Sequence, residues 1–271
     1  MTEGDPARGP TWHSPDRPAP VPVSFAGWLR VGLRGLALVP VLGGGLVLLL
    51  LMRLVERPLC GLRRPVTPWV TVLVCRLVLA TLGIRRRIVG QPARGPGAVV
   101  ANHASWLDIF ALNAVRPVLF VAKAEVAGWA GIGWLARATG TVFIRRDRTQ
   151  AAAQLALFRE RLAAGHRLVV FPEGTSTDGL RVLPFKATLF AAFDAVTVQP
   201  VSILWTSPPG YDARFYGWWG DMDFGGHALK VLAARRQGQV TLHFHAVPPA
   251  GLDRKTLAQQ AEASVRLPFQ R

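Results

Sequence analysis

Two stretches of the chain are apolar almost without interruption, and the remainder alternates short apolar runs with amphipathic ones. The first, Gly35 to Met52, is uncharged between Arg34 and Arg53 and long enough for a membrane-crossing helix. Pro40 and Gly43-Gly44-Gly45 interrupt it, so spanning and re-entrant helices both fit. The second, Val66 to Ile84, holds Arg76 near its middle and is expected to pack on the first or lie in the membrane interface. Arg85-Arg86-Arg87 closes it. With arginines on both sides of both stretches, the positive-inside rule places the rest of the chain on the cytoplasmic face.

Beyond Pro96 the pattern predicts strands at Ala98 to Ala101, Pro117 to Ala122, Thr141 to Ile144, Arg167 to Phe171, Ala195 to Ile203 and Gln239 to Ala246. Between them, helices are predicted from Trp106 to Ala114, Thr149 to Ala164, Gly226 to Arg236, and from Asp253 onward. This alternation implies an α/β class: a single layered domain with a mixed sheet flanked by helices, preceded by an N-terminal membrane-associated helical segment. Residues 1–22, rich in Pro, Gly and charge, are expected to be a disordered tail, 23–90 a membrane-anchoring region and 91–271 the catalytic domain.

Charge narrows the partners. The sequence has 32 Lys and Arg against 16 Asp and Glu and therefore asks for an anionic partner. Arg30, Arg34, Arg53, Arg57, Arg63, Arg64, Arg85, Arg86 and Arg87 flank the apolar stretches, with no stripe interleaved with aromatics. A membrane bilayer is favoured and no nucleic-acid partner is expected. Cys60 and Cys75 form neither a Cys-x-x-Cys pair nor a zinc pattern, so no metal is implied.

Two clusters carry chemistry, each where a strand ends. In Asn102-His103-Ala104-Ser105-Trp106-Leu107-Asp108, a continuous helix would set His103 and Asp108 about 140° apart, so His103 must precede the helix that Asp108 begins. Ser105 as N-cap would then let Asp108 point back at the imidazole, fixing its tautomer. The second cluster, Phe171-Pro172-Glu173-Gly174-Thr175-Ser176, is a turn whose backbone N–H groups suit an anion or polar head group. Either alone reads better as a capped loop or an ordinary turn; their co-occurrence decides. No Gly-x-Ser-x-Gly elbow is present, which argues against a serine hydrolase.

The chain resembles the glycerolipid acyltransferases typified by bacterial 1-acylglycerol-3-phosphate acyltransferases. It carries their four motifs in order: Asn102 to Asp108, Gly140 to Arg146, Phe171 to Thr175, and Gln199 to Ile203. The resemblance implies an O-acyltransferase of the bacterial inner membrane, with its domain on the cytoplasmic face. His103 and Asp108 would be catalytic, His103 deprotonating the hydroxyl of a lysolipid acceptor that attacks acyl-CoA or acyl carrier protein. Arg146, Glu173, Gly174 and Thr175 would hold the acceptor, with Arg145 and Lys186 as further candidates. No cofactor is implied beyond the acyl donor. Phosphate-using members commonly place an Arg after the Thr of F-P-E-G-T, where this chain has Ser176. That departure, with Gly174 to Phe190 and Trp218 to Asp223, looks like the branch that O-acylates lyso-ornithine lipid, so the acceptor stays open between the two. The reading from a different class is a non-catalytic basic membrane-binding protein.

Overall fold

Ser24 opens the first helix, its hydroxyl accepting the Gly27 N–H at 3.2 Å. The computed structural model describes residues 11–14, 17–18, 22–145, 148–193 and 196–270. Helix α1 (Phe25–Cys60) runs unbroken for 36 residues through Pro40 and the three glycines, about 54 Å at 1.5 Å per residue. The interruption expected there does not occur: proline's fixed φ is itself helical, and Gly45 serves packing instead. A Cβ on Gly45 would come within 2.3 Å of Val74 Cγ2, whereas Gly43 and Gly44 face open space. Gly45 is thus where α1 meets helix α2 (Thr67–Leu82). The hairpin is pinned at its tip by Glu56, buried near the end of α1. Its carboxylate accepts the N–H groups of Val66 (2.7 Å) and Thr67 (3.1 Å), capping α2 from another helix.

The order then runs β1 (Arg85–Val89), β2 (Gly97–Ala101), α3 (Leu107–Asn113), β3 (Leu119–Lys123), α4 (Ile132–Thr139), β4 (Val142–Ile144), α5 (Ala151–Ala163), β5 (Arg167–Val170), β6 (Val198–Thr206), α6 (Phe224–Ala233), β7 (Gln239–Phe244) and α7 (Arg254–Arg266). The seven strands form one sheet in the order β1-β7-β6-β2-β5-β3-β4. It is mixed: β6, β2, β5, β3 and β4 run parallel, while β7 is antiparallel to β6 and β1 parallel to β7. The central β2 and β5 are buried at every position, which is why, after the opening Arg167 of β5, they read as unbroken apolar runs. On one face α2, α3 and α6 pack with Val99, Val201 and Leu242; on the other α5 and α7 pack with Val100, Leu168 and Val198.

The sheet begins ahead of the expected boundary at residue 91, because the arginine cluster 85–87 opens the edge strand β1. The hairpin is not separate from the domain either, since Cys75, Val78, Leu79 and Leu82 of α2 share a core with Leu107 and Val99. Helix α4 had no counterpart in the sequence reading.

Several arginines expected to face lipid turn inward. Arg30 Nε donates to the Ala233 carbonyl (2.8 Å), and Arg34 Nη1 to those of Leu232 (2.6 Å) and Ala234 (2.8 Å), closing the C-terminus of α6. Arg76 and Arg86 both donate to the Ala114 carbonyl at the end of α3, and Arg64 to that of Ala138 near the end of α4. Last-turn carbonyls lack intrahelical donors and carry the negative end of the helix dipole, so a guanidinium satisfies both. The outer side of α1 remains apolar and exposed: Leu33, Leu36, Val39, Leu51 and Leu54 each show more than half of their surface.

Candidate active site

The motifs converge because their strands are neighbours. β6, β2 and β5 lie side by side and parallel, so the segments leaving their C-terminal ends meet at one edge of the sheet, the usual place for chemistry in such folds. Asn102 fixes the exit from β2. Its side-chain amide donates to the Ile203 carbonyl (2.9 Å) and its oxygen accepts the Ile203 N–H (2.7 Å), clamping the strand end to β6.

His103 comes next in extended chain, and α3 begins after it, as the helix arithmetic requires. The Ser105 hydroxyl accepts the Leu107 N–H at 3.3 Å, while Asp108 reaches back to the Ser105 N–H at 2.9 Å. Asp108 is wholly buried. Its Oδ2 also accepts the Ala104 N–H and lies 2.8 Å from His103 Nδ1, and its Oδ1 accepts the Trp205 Nε1–H at 2.7 Å. Four donors converging on one carboxyl suit the carboxylate, which only accepts. Nδ1 must then carry its hydrogen, leaving the lone pair on Nε2. The ring stacks on Phe171 with centroids 4.0 Å apart and planes 13° from parallel. The imidazole is thus fixed in tautomer and plane, is 21% exposed, and Nε2 has no partner among the described residues.

Glu173 supports this loop from the turn after β5. Its Oε1 accepts the His103 N–H at 2.7 Å and its Oε2 the Leu183 N–H at 2.9 Å. Both oxygens accept backbone N–H groups, which turns the carboxyl group to the histidine loop. Burial pushes Glu173 up to about 8; the two N–H bonds pull the other way, and nearby Asp108 adds a smaller upward push. Gly174 takes φ +72°, open to glycine without strain, at the tight turn where its N–H meets the Phe171 carbonyl. Thr175 is next in the chain, and two residues on, the Thr177 N–H donates to the His103 carbonyl at 2.9 Å.

The structure therefore joins His103, Asp108 and Glu173 into one hydrogen-bonded cluster, with Gly174 and Thr175 following Glu173 in the adjoining turn. Arg145 leaves β4, two strands from β5, with its side chain exposed. Arg146 lies outside the described residues. Lys186 is exposed, its backbone N–H held by the Pro172 carbonyl at 3.0 Å. Ser202 is buried within β6, where it donates to the Val265 carbonyl of α7.

Comparison with known proteins fits this geometry. A family model described as Acyltransferase matches residues 85–204. A lyso-ornithine lipid O-acyltransferase from Rhodobacter capsulatus is 53% identical over 95% of this chain and 96% of its own. The chain belongs to the acyltransferase family. A further lyso-ornithine lipid O-acyltransferase, from Pseudomonas aeruginosa, is 37% identical over 88% of this chain and 93% of its own. A 1-acyl-sn-glycerol-3-phosphate acyltransferase from Neisseria meningitidis is 44% identical over 44% of this chain and 49% of its own. The crystal structure of the 1-acyl-sn-glycerophosphate acyltransferase from Thermotoga maritima shares the fold, with a TM-score of 0.63 at 22% identity, over 90% of this chain and 96% of that one.

Within this acyltransferase fold, Trp205 is the partner of Asp108 that sequence reasoning missed. The strand was expected to stop at Ile203, yet β6 continues to Thr206. The signal was present: Val201, Ile203 and Trp205 keep the period of two that puts them on one face, and all three pack in the same core.

Proposed function

We propose that the protein transfers a fatty-acyl group from the thioester of acyl-CoA or acyl carrier protein to the hydroxyl of a lysolipid, with His103 as general base. The observation carrying this is the imidazole held through Nδ1 by a buried carboxylate, with Nε2 left to accept a proton. In the reaction, Nε2 takes the acceptor's hydroxyl proton as the oxygen forms a bond to the thioester carbon. The carbon–sulfur bond then breaks, and the departing thiolate takes the proton from the imidazolium. Asp108 holds the ring and stabilises its transient charge without itself taking the proton.

Lyso-ornithine lipid is the acceptor we favour over lysophosphatidate. The relatives matched along nearly the whole chain are named for it, and no Arg stands after Thr175. The exposed apolar side of α1 seats the protein in a bilayer, and α1 is nearly twice the thickness of a hydrocarbon core of about 30 Å. The site faces the cytoplasmic side of the inner membrane, where acyl-CoA and acyl carrier protein are found.

Purified protein offered lyso-ornithine lipid and lysophosphatidate separately, each with labelled acyl-CoA and labelled acyl carrier protein, tests this reading. We expect label in the doubly acylated ornithine lipid, at a rate above that for phosphatidate. Label in neither lipid would overturn the proposal, and label in phosphatidate alone would overturn the acceptor.

A further inference from the structure

The chain ahead of α1 is used neither by the sheet nor by the acyl-transfer chemistry, yet part of it is docked beside the site. The Trp12 N–H donates to Thr175 Oγ1 at 3.1 Å. Its indole lies 5.8 Å from the Trp219 ring at 57°, and the Arg181 guanidinium sits over it, 5.2 Å from the centroid. Arg17 pairs with Asp221. A Cβ on Gly220 would come within 3.1 Å of His13 Nδ1 and 3.3 Å of Arg17 Nη2, so the segment lies close on that turn. Placed by the sequence in a disordered tail, Trp12 instead bridges the turn after β5 and the loop before α6.

Both of those loops are tied to the catalytic loop. The Thr177 N–H meets the His103 carbonyl, and the Trp218 N–H meets that of Ala104 at 2.8 Å. What Trp12 holds therefore borders the imidazole's loop, and the hydroxyl it engages belongs to a residue expected to face the acceptor.

The charges brought together here are paired. Arg181 donates from Nε and Nη2 to the two oxygens of the buried Asp178, at 3.1 and 2.8 Å, and Arg17 meets Asp221. A phosphomonoester carries nearly two negative charges at neutral pH and needs cations not already neutralised. A head group bearing both a carboxylate and an ammonium can instead interact with both members of the exposed Arg17–Asp221 pair, and an aromatic face beside it attracts the ammonium.

We propose that Trp12 and Arg17 form a strap that is one wall of the acceptor head-group subsite, selecting a zwitterionic lysolipid over a phosphomonoester. This rests on the acyl-transfer reading, in which the Thr175 turn faces the acceptor. Trp12 acts as a positioning and specificity residue, not a catalytic one.

The test is steady-state acyl transfer by the full-length protein in mixed micelles, with lyso-ornithine lipid and lysophosphatidate as alternative acceptors. Trp12→Ala keeps the backbone N–H that holds Thr175 Oγ1 but removes the indole, and should raise KM for lyso-ornithine lipid about ten-fold, the loss of roughly one aromatic contact. We expect kcat within about two-fold of wild type and a correspondingly narrower preference between acceptors. Trp12→Phe should restore most of the KM, and the exposed-site variant Arg17→Ala should raise it in the same direction. Unchanged KM and preference in Trp12→Ala, with wild-type activity intact, would overturn the strap alone. So would higher kcat/KM on both acceptors, which would make the segment an inhibitory flap. A wild-type protein inactive on both lipids would overturn the acyl-transfer reading and the strap with it.

Discussion

Asp108→Asn probes the one carboxylate on which the site geometry depends. An amide has one acceptor oxygen and one donor nitrogen, whereas every partner of Asp108 is a donor. With its oxygen kept toward His103, Ala104 and Ser105, the amide NH2 must face the Trp205 Nε1–H, 2.7 Å from the present Oδ1. Two buried donors would then oppose each other and a charge-assisted bond would be lost, costing about 2–4 kcal/mol of stability. The reverse flip is worse, since it sets the NH2 against three donors. The rate should fall further than the stability: without a carboxylate Nδ1 is no longer held as the donor, and comparable carboxylate–histidine pairs lose about 10⁴-fold in kcat. Trp205→Phe removes the opposing donor. Alone it should cost about 1.5–3 kcal/mol by leaving Oδ1 unsatisfied, but combined with Asp108→Asn the two losses should fall short of additive by about 1–2 kcal/mol. Denaturant unfolding of the four proteins in one detergent, with acyl-transfer rates alongside, reads both quantities. Additive stabilities within about 0.5 kcal/mol, or recovery of the rate in the double variant, would refute this account of the carboxylate.

Glu173, raised by burial to about 8, binds its proton more tightly folded than unfolded, so its contribution is complete below its ordinary carboxyl range and lost as pH rises through about 8. Wild-type Tm should therefore drop over that interval by the equivalent of a few kcal/mol; Glu173→Gln should flatten the slope, and an identical slope would contradict the assignment. At the hairpin, Gly45→Ala meets Val74 and should destabilise by about 1–3 kcal/mol, whereas Gly44→Ala, in open space, should be neutral or gain up to about 1 kcal/mol from helix propensity. Equal effects of the two on Tm would argue against the close approach of α1 to α2.

The parts of the fold legible in the sequence were those in which local chemistry and burial agree. β2 and β5 are apolar because both of their faces are covered, and α7 announced itself through Asp253, whose side chain caps it. The His103–Asp108 geometry came from helix periodicity alone, since only a histidine outside the helix can meet a carboxylate in its first turn. What was missed depended on distant partners. Arg34 and Arg86 sit where membrane-flanking arginines would, and only their positions beside the ends of α6 and α3 reveal them as helix caps. The cluster at 85–87 looked like the end of an apolar segment because its pairing partner, β7, lies more than 150 residues later. The resemblance implied that Glu173 holds the acceptor, and no local signal foretold that its carboxyl oxygens accept the N–H groups of His103 and Leu183. Trp12 carried no periodic signal, and its dock is built from residues in two separate loops.

The central claim is that Nε2 of His103 removes the acceptor's proton, and single-turnover acyl transfer by His103→Ala tests it most directly. The ring is partly exposed and its Nε2 has no partner among the described residues, so removing it should leave Tm within a few degrees of wild type. The account predicts transfer to lyso-ornithine lipid at the uncatalysed background with that fold intact; a rate within ten-fold of wild type would contradict it.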